Sequence, residues 1–251
     1  MHTIDNLPLA PPQAALFFLG QAGYLARAGD VTLAIDPYLT DSVGKSSPAF
    51  ARQFPSPIEP ENLRVDIFVV THDHTDHLDP ETIARYPHRE STSFVAPRFA
   101  ARKLEKLGLP SGNITVVDIG ETAEVRGVKI TGAFALPTSA DVLDTVGYRV
   151  EFPNGRSFYH GGDTAFCELL LRAAPKAEVL LVAINGKWGN LDVDQAIALT
   201  EAVQPRYVLP NHYDVMALNS ENPRTFCHFL GQRGGKAKCV IPELMQPFLW
   251  E

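Results

Sequence analysis

The sequence predicts one α/β domain built as a four-layer αβ/βα sandwich, with two mixed β-sheets face to face and helices on the outer faces. Three observations predict it. Short apolar runs outnumber helical segments in both halves of the 251 residues, helices follow strands only from the middle of each half onward, and no Pro/Gly/Ser-rich linker interrupts mid-chain. Polar residues able to bind a ligand also recur where apolar runs end.

Residues 1–13 carry Pro8, Pro11 and Pro12 and read as a surface arm. Apolar runs at 16–19, 24–28 and 31–35, separated by Gly20, Gly23, Gly29 and Asp30, predict a meander of strands. Residues 39–62 are rich in Ser, Pro and Gly around an apolar patch at 50–54, which predicts a long loop with one helical turn over a site. A strand over 65–70 leads to a helix whose start is marked by Asp79 as N-cap, Pro80 at the first helical position and Glu81 beside the positive dipole end.

Strands at 93–96, 114–117, 124–125 and 128–136 and a helix over 98–107, ended by Gly108, complete the first half. In the second half, strands at 146–152 and 157–159 flank Pro153-Asn154-Gly155, a hairpin signal. A helix over 166–173, a strand at 179–184, a helix over 193–203, a strand at 207–209, a helix over 224–233 and a strand at 238–241 follow.

Composition narrows the functional classes. Hydrophobic content of 45% with 20% charged residues is that of an ordinary globular protein. A net charge of −7 supplies no general attraction to nucleic acid or anionic lipid, so the expected partner is a small molecule. The first six residues show neither a basic nor an apolar leader region, and no apolar run approaches the ~20 residues that span a bilayer, so a cytoplasmic protein is expected. Cys167, Cys227 and Cys239 lie far apart in sequence and are odd in number, and we expect buried, reduced thiols. The apolar tail Phe248-Leu249-Trp250 packs either on its own core or on a neighbouring copy in a homo-oligomer.

The chemistry concentrates in Thr71-His72-Asp73-His74-Thr75-Asp76-His77. His72 and His74, two apart, project to one side of an extended chain. After a turn, Asp76 and His77 swing back toward the same point, forming a nitrogen-and-oxygen pocket suited to zinc, manganese or iron. Burying so many imidazoles and carboxylates without a cation would be costly. Other strands end similarly: 31–35 at Asp36, 157–159 at His160-Gly161-Gly162-Asp163, 179–184 at Asn185, and 207–209 at Pro210-Asn211-His212. Strand ends in α/β sheets converge on ligand crevices.

His72-x-His74-x-Asp76-His77, the later Gly162-Asp163 and His212, in that order over nearly the whole chain, resemble the metallo-β-lactamase fold superfamily. The resemblance implies one ion held by His72, His74 and a bridging Asp163, and another by Asp76, His77, Asp163 and His212. Gly20-Gln21-Ala22-Gly23-Tyr24-Leu25, Ile35-Asp36-Pro37-Tyr38, Tyr159-His160-Gly161-Gly162-Asp163, Pro210-Asn211-His212-Tyr213-Asp214 and Pro247-Phe248-Leu249-Trp250-Glu251 are similar to the ascorbate-6-phosphate lactonase branch, which implies lactone opening and manganese. The chain departs at one place: the superfamily's further histidine is replaced by Pro137-Thr138-Ser139-Ala140-Asp141, and no histidine lies between His88 and His160. That leaves the site with one or two divalent ions, Mn2+ or Zn2+.

The expected activity is hydrolysis by a metal-bound hydroxide, opening a lactone of a sugar or sugar phosphate, with Asp76 and His160 as catalytic groups. For His160 the alternatives are an acid role and an ordinary strand-end hydrogen bond. For Asp36 they are a hydrogen bond to a ligand histidine and a simple turn. Asn185, Lys187 and Tyr213 either contact substrate or merely connect elements. His2, His88 and His228 read as surface residues. Two other functions remain open: a phosphodiesterase or nuclease of the same fold, and a non-catalytic metal- or metabolite-binding protein.

Overall fold

The computed structural model describes Ile4 and residues 7–251. The signal-peptide expectation and that for His2 concern residues that, Ile4 apart, lie outside the described ones. The first sheet holds β1 (Ala14–Gly20), β2 (Gly23–Ala28), β3 (Val31–Ile35), β4 (Ile67–Val69), β5 (Ser93–Ala96) and β6 (Ile114–Val116). The final strand, β14 (Pro247–Trp250), pairs with β1, giving the order β14-β1-β2-β3-β4-β5-β6. The second sheet runs β7-β8-β9-β10-β11-β12-β13. Its strands are β7 (Thr122–Val125), β8 (Val128–Phe134), β9 (Val146–Glu151), β10 (Ser157–His160), β11 (Val179–Ala183), β12 (Tyr207–Asn211) and β13 (Lys238–Cys239).

In these orders, each sheet opens with three antiparallel pairs and closes with three parallel ones. The change from antiparallel to parallel follows from the connections. Short turns join β1 to β2, β2 to β3, β7 to β8 and β9 to β10, whereas parallel neighbours need a crossover.

β1 is buried at all seven positions. Ala14, Leu16 and Phe18 enter the core between the sheets, and Ala15, Phe17 and Leu19 enter the core beneath the outer helices, following the two-residue period of a strand. The helices are α1 (Ser42–Ser46), α2 (Pro80–Arg85), α3 (Arg98–Lys106), α4 (Glu168–Ala173), α5 (Val193–Val203) and α6 (Pro223–Gln232). α3 presses Ala100, Ala101 and Leu104 on the first sheet, and α5 and α6 press Ile197, Leu199, Phe226 and Leu230 on the second. A capping box of Asp192 and Gln195 starts α5.

Asp79 caps α2 as the sequence predicts, accepting from Glu81 N at 3.0 Å. It also accepts from the hydroxyls of Thr40, Ser42 and Thr82. This network ties the segment entering α1 to the helix that follows the histidine-rich loop.

Expectations for the 39–62 loop, the N-terminal arm and the cysteines change, and the alternatives for the tail resolve. In 39–62 the expected single helical turn becomes three, at α1 and at the 3-10 turns Pro48–Phe50 and Pro60–Asn62, where Pro presets the first turn. In the N-terminal arm Ile4 is buried against the first sheet's outer core. Cys227 and Cys239 are not separate thiols but a disulfide with Cα atoms 5.5 Å apart. The β12-to-β13 crossover lays α6 alongside β13, so residues 12 apart in sequence become neighbours. Cys167, the free thiol, is half-buried. The tail packs on its own chain, with Trp250 and Phe248 against the intersheet core. Among the described residues no helix is long and apolar enough to cross a membrane.

Candidate metal centre

Loops leaving the carboxyl ends of β3, β4, β10 and β12 meet at one edge of the sandwich. Two groups form there: His72, His74 and Asp163, and Asp76, His77 and His212. Within each, one ligand atom per residue lies within 4.8 Å of the others. Asp163 Oδ1 joins the groups, 2.9 Å from His212 Nε2 and 3.2 Å from His77 Nε2. All six expected ligands therefore converge.

Backbone strain marks the same place. Asp36, Gln21 and His212 have φ of +47°, +58° and +59°. Left-handed non-glycine residues of this kind cost about 1–3 kcal/mol each and persist where their surroundings hold them. His212 N donates to Gln21 O at 2.8 Å. Gly162 turns the chain into Asp163 at φ +64°, and a Cβ on it would lie 3.2 Å from Val146 O.

Counting hydrogens shows what belongs between these groups. Thr71 Oγ1 donates to Asp36 Oδ2 at 2.6 Å, so toward His72 Nδ1, 2.9 Å away, it can only accept. His77 Nδ1 lies 2.7 Å from Asp36 Oδ2, which also only accepts. In each ring Nδ1 carries a proton, so Nε2 is the nitrogen turned toward the cluster. His74 Nε2 faces Asp141 Oδ2 at 3.5 Å, turning Nδ1 inward to 3.0 Å from His72 Nε2. A proton shared between the two nitrogens closes that contact, and a cation held by both rings would take its place.

The second group agrees. His77 Nε2, His212 Nε2 and Asp163 Oδ1 are sealed from solvent without a well-formed hydrogen bond. Orphaned buried polar atoms are rare in folded proteins. Burial disfavours charge on His77, yet Asp163, Asp76 and Asp36 outweigh it and hold its pKa well above the usual histidine value. Burial pushes Asp163 up, but His212 and His77 hold its carboxyl well below the usual range. Burial, then the neighbouring His77, pushes His72 down. This donor set of imidazoles and carboxylates fits a divalent ion.

Above the centre lies a cavity of about 550 Å³, floored by His74, Asp76 and Asp163 and walled by Val43, Phe50, Trp188 and Met216. Asn190 lines it and donates to Asp163 Oδ2 at 2.7 Å. Thr138, in the segment lacking the extra histidine, also lines it.

Several sequence readings are corrected. His160 is fully buried with both ring nitrogens engaged: Nε2 donates to Ala22 O at 2.8 Å and Nδ1 accepts from Gly162 N at 3.0 Å. It holds the turn into Asp163 and has no nitrogen free to act as an acid. Tyr213 points away into the intersheet core, where it stacks on Phe18 and donates to Pro242 O. Lys187 donates to Ser220 O in a neighbouring groove. Asn185 is buried and donates to Asn219, which lines the cavity, so it acts one residue removed. Asp36 takes the hydrogen-bonding alternative. His228 is exposed and His88 half-buried against Tyr86.

Residue-by-residue reading gave no role to Gln21, Thr71 or Asn190. Gln21 Nε2 donates to Asp76 Oδ2 at 2.9 Å and stands 3.3 Å from His212 Nδ1. Gln21 and Asn190 lie in segments already singled out, and polarity immediately after a strand was the available signal.

Comparison with known proteins agrees with this geometry. Residues 32–213 match the beta-lactamase superfamily domain. A UPF0173 metal-dependent hydrolase of Thermococcus onnurineus is 31% identical over 232 residues, 89% of this chain and 94% of that protein. One from Cupriavidus taiwanensis is 30% identical over 271 residues, 94% of this chain and 88% of its own. Among solved structures, Igni18, a metallo hydrolase from the hyperthermophilic archaeon Ignicoccus hospitalis, superposes with a TM-score of 0.75 at 25% identity, covering 95% of this chain and 99% of that one. Fold, converging ligands and relatives together show that the chain belongs to the beta-lactamase superfamily, among its metal-dependent hydrolases.

Proposed function

We propose that the protein opens a carbonyl ester, foremost a lactone, at the cavity above His74, Asp76 and Asp163. The observation that carries this is the convergence of His72, His74 and Asp163 beside an accessible cavity, with His72 Nε2 and His74 Nδ1 3.0 Å apart. His72, His74 and Asp163 would hold a divalent ion, Mn2+ or Zn2+, and Asp76, His77, Asp163 and His212 a second; such an ion would supply Lewis acidity and activate water near neutral pH.

The chain's own residues do the rest. Asp76 is oriented by Gln21 and reaches the cavity floor. It takes the proton from the attacking water as the new C–O bond forms, and returns it to the alkoxide as the ring C–O bond breaks. Because the leaving oxygen of a lactone stays tethered, it remains within reach of Asp76. Asn190 holds Asp163, and Asp36 and Thr71 hold the rings of His77 and His72, so the floor is set before substrate arrives.

His74→Ala and His212→Ala test the reading. Elemental analysis of protein purified without chelator is expected to show most metal lost from both. A panel of lactones, bis-p-nitrophenyl phosphate and short RNA is expected to show lactone turnover only in the unmodified chain. Full metal and full activity in both variants would overturn the assignment.

Residence in the cytoplasm is part of this reading, although disulfides are rare there. Cell fractionation tests it: recovery of the chain in the cytoplasmic fraction supports the reading, and recovery outside it contradicts it.

A further inference from the structure

The body of the substrate is written in the cavity wall opposite the metal floor. Val43, Phe50, Trp188 and Met216 line that wall, and no Lys or Arg is among the lining residues. The cations carried by the same segments point elsewhere. Lys187 is on Ser220 O, and Arg52 donates to Tyr38 O at 2.9 Å and to Phe54 O at 3.2 Å. Asp141, 3.5 Å from His74, adds a further carboxylate to the lining. An anionic substrate body would meet carboxylates here without a basic side chain to bind it.

Trp188 is the second observation. It is 60% exposed and lies at φ +56°, between Gly186 at +59° and Gly189 at +90°. A Cβ on Gly189 would stand 2.3 Å from Thr138 O, so the backbone of the loop is pressed against the 138 segment. A bulky residue in the left-handed region is unfavourable, and so is an indole in water. Trp188 belongs to none of the buried cores, and its aromatic neighbour is Phe50, 5.4 Å away at 55°. Beneath the cavity, Tyr38, Val215 and Met216, with Val43 and Phe50, form a small apolar cluster separate from the large ones. Both costs fall where an apolar ligand offsets them.

We infer, resting on the hydrolase reading above, that the substrate is neutral: its carbonyl reaches the His74–Asp76–Asp163 floor while an aromatic or branched aliphatic body lies against Phe50 and Trp188, over Val43 and Met216. A phosphorylated sugar lactone is not the substrate class of this cavity.

The chain has two tryptophans, so Trp250→Phe leaves Trp188 as the sole indole reporter. In metal-loaded protein of this background, 3-phenylpropanamide, neutral and not readily hydrolysed, is expected to change Trp188 emission saturably, and Phe50→Ala to weaken its binding at least tenfold. Dihydrocoumarin is expected to exceed 6-phosphoglucono-δ-lactone in kcat/KM. Trp188→Ala is expected to lower the dihydrocoumarin value about 10- to 100-fold, the size of losing one large apolar contact, with metal content unchanged. Absence of an emission change, or preference for the phosphorylated lactone, would overturn the inference. Binding of the amide without turnover of either lactone would uphold the apolar neutral occupant and contradict the lactonase reading instead.

Discussion

The loop after β4 and the loop after β11 stand at equivalent places, each following the fifth of seven strands with parallel neighbours on both sides. One holds His72, His74, Asp76 and His77; the other holds Asn185, Trp188 and Asn190 and, among the described residues, no metal-ligand candidate. The first is braced by Thr71, Asp36 and Gln21, with His72 and His77 wholly buried. In the second, residues 186–189 are exposed. The same sheet plan thus places chemistry on one side and recognition on the other. Chemistry needs donors fixed to within a few tenths of an ångström, whereas an apolar wall needs only shape and position.

The largest test of that division is Asp163→Ala, which removes the carboxylate shared by both ligand groups. Activity is expected to fall by about 10³-fold or more, with metal lost in elemental analysis. Retention of both would break the comparison. Next, Asp36→Ala removes the brace of His77 and the partner of Thr71. It is expected to weaken metal binding about 10- to 100-fold in equilibrium dialysis, whereas Trp188→Ala leaves that affinity alone.

Asn190 sharpens the comparison because it belongs to the recognition loop yet touches Asp163. Asn190→Ala is expected to lower kcat about tenfold with metal still bound, measured by turnover on fully loaded protein. An unchanged kcat would show that the two loops are independent.

The smallest effect lies outside both loops. Burial pushes the half-exposed Asp144 carboxyl up to about 6. Since its folded pKa exceeds the unfolded one, the native state binds more protons between pH 4 and 6, and stability falls as pH rises through that window. Asp144→Asn is expected to stabilise the fold at pH 8 by no more than about 1 kcal/mol after allowing for solvent screening, and to do nothing near pH 4, as read from thermal melts.

Strand order along the chain was legible because apolar runs are a local pattern, and the six side chains that meet at the site were legible because they stand where those runs end and match the family's motif. Tyr213 shows where legibility stops. It directly follows His212, but the left-handed turn at His212 sends the next side chain into the intersheet core. Adjacency in sequence does not fix a common face once φ changes sign. Likewise the Cys227–Cys239 pair depends on where a crossover helix is laid, and the pairing of β14 with β1 joins the two ends of the chain. Both are tertiary outcomes without a periodic signature. His160 had the right environment and the wrong availability, since its ring nitrogens are committed to Ala22 and Gly162.

Anomalous diffraction from crystals soaked in Mn2+ or Zn2+ tests most directly whether a cation lies among these side chains. A peak bounded by His72 Nε2, His74 Nδ1 and Asp163, with or without a second beside Asp76, His77 and His212, is the predicted result. Soaked crystals with no peak at either position would contradict the account.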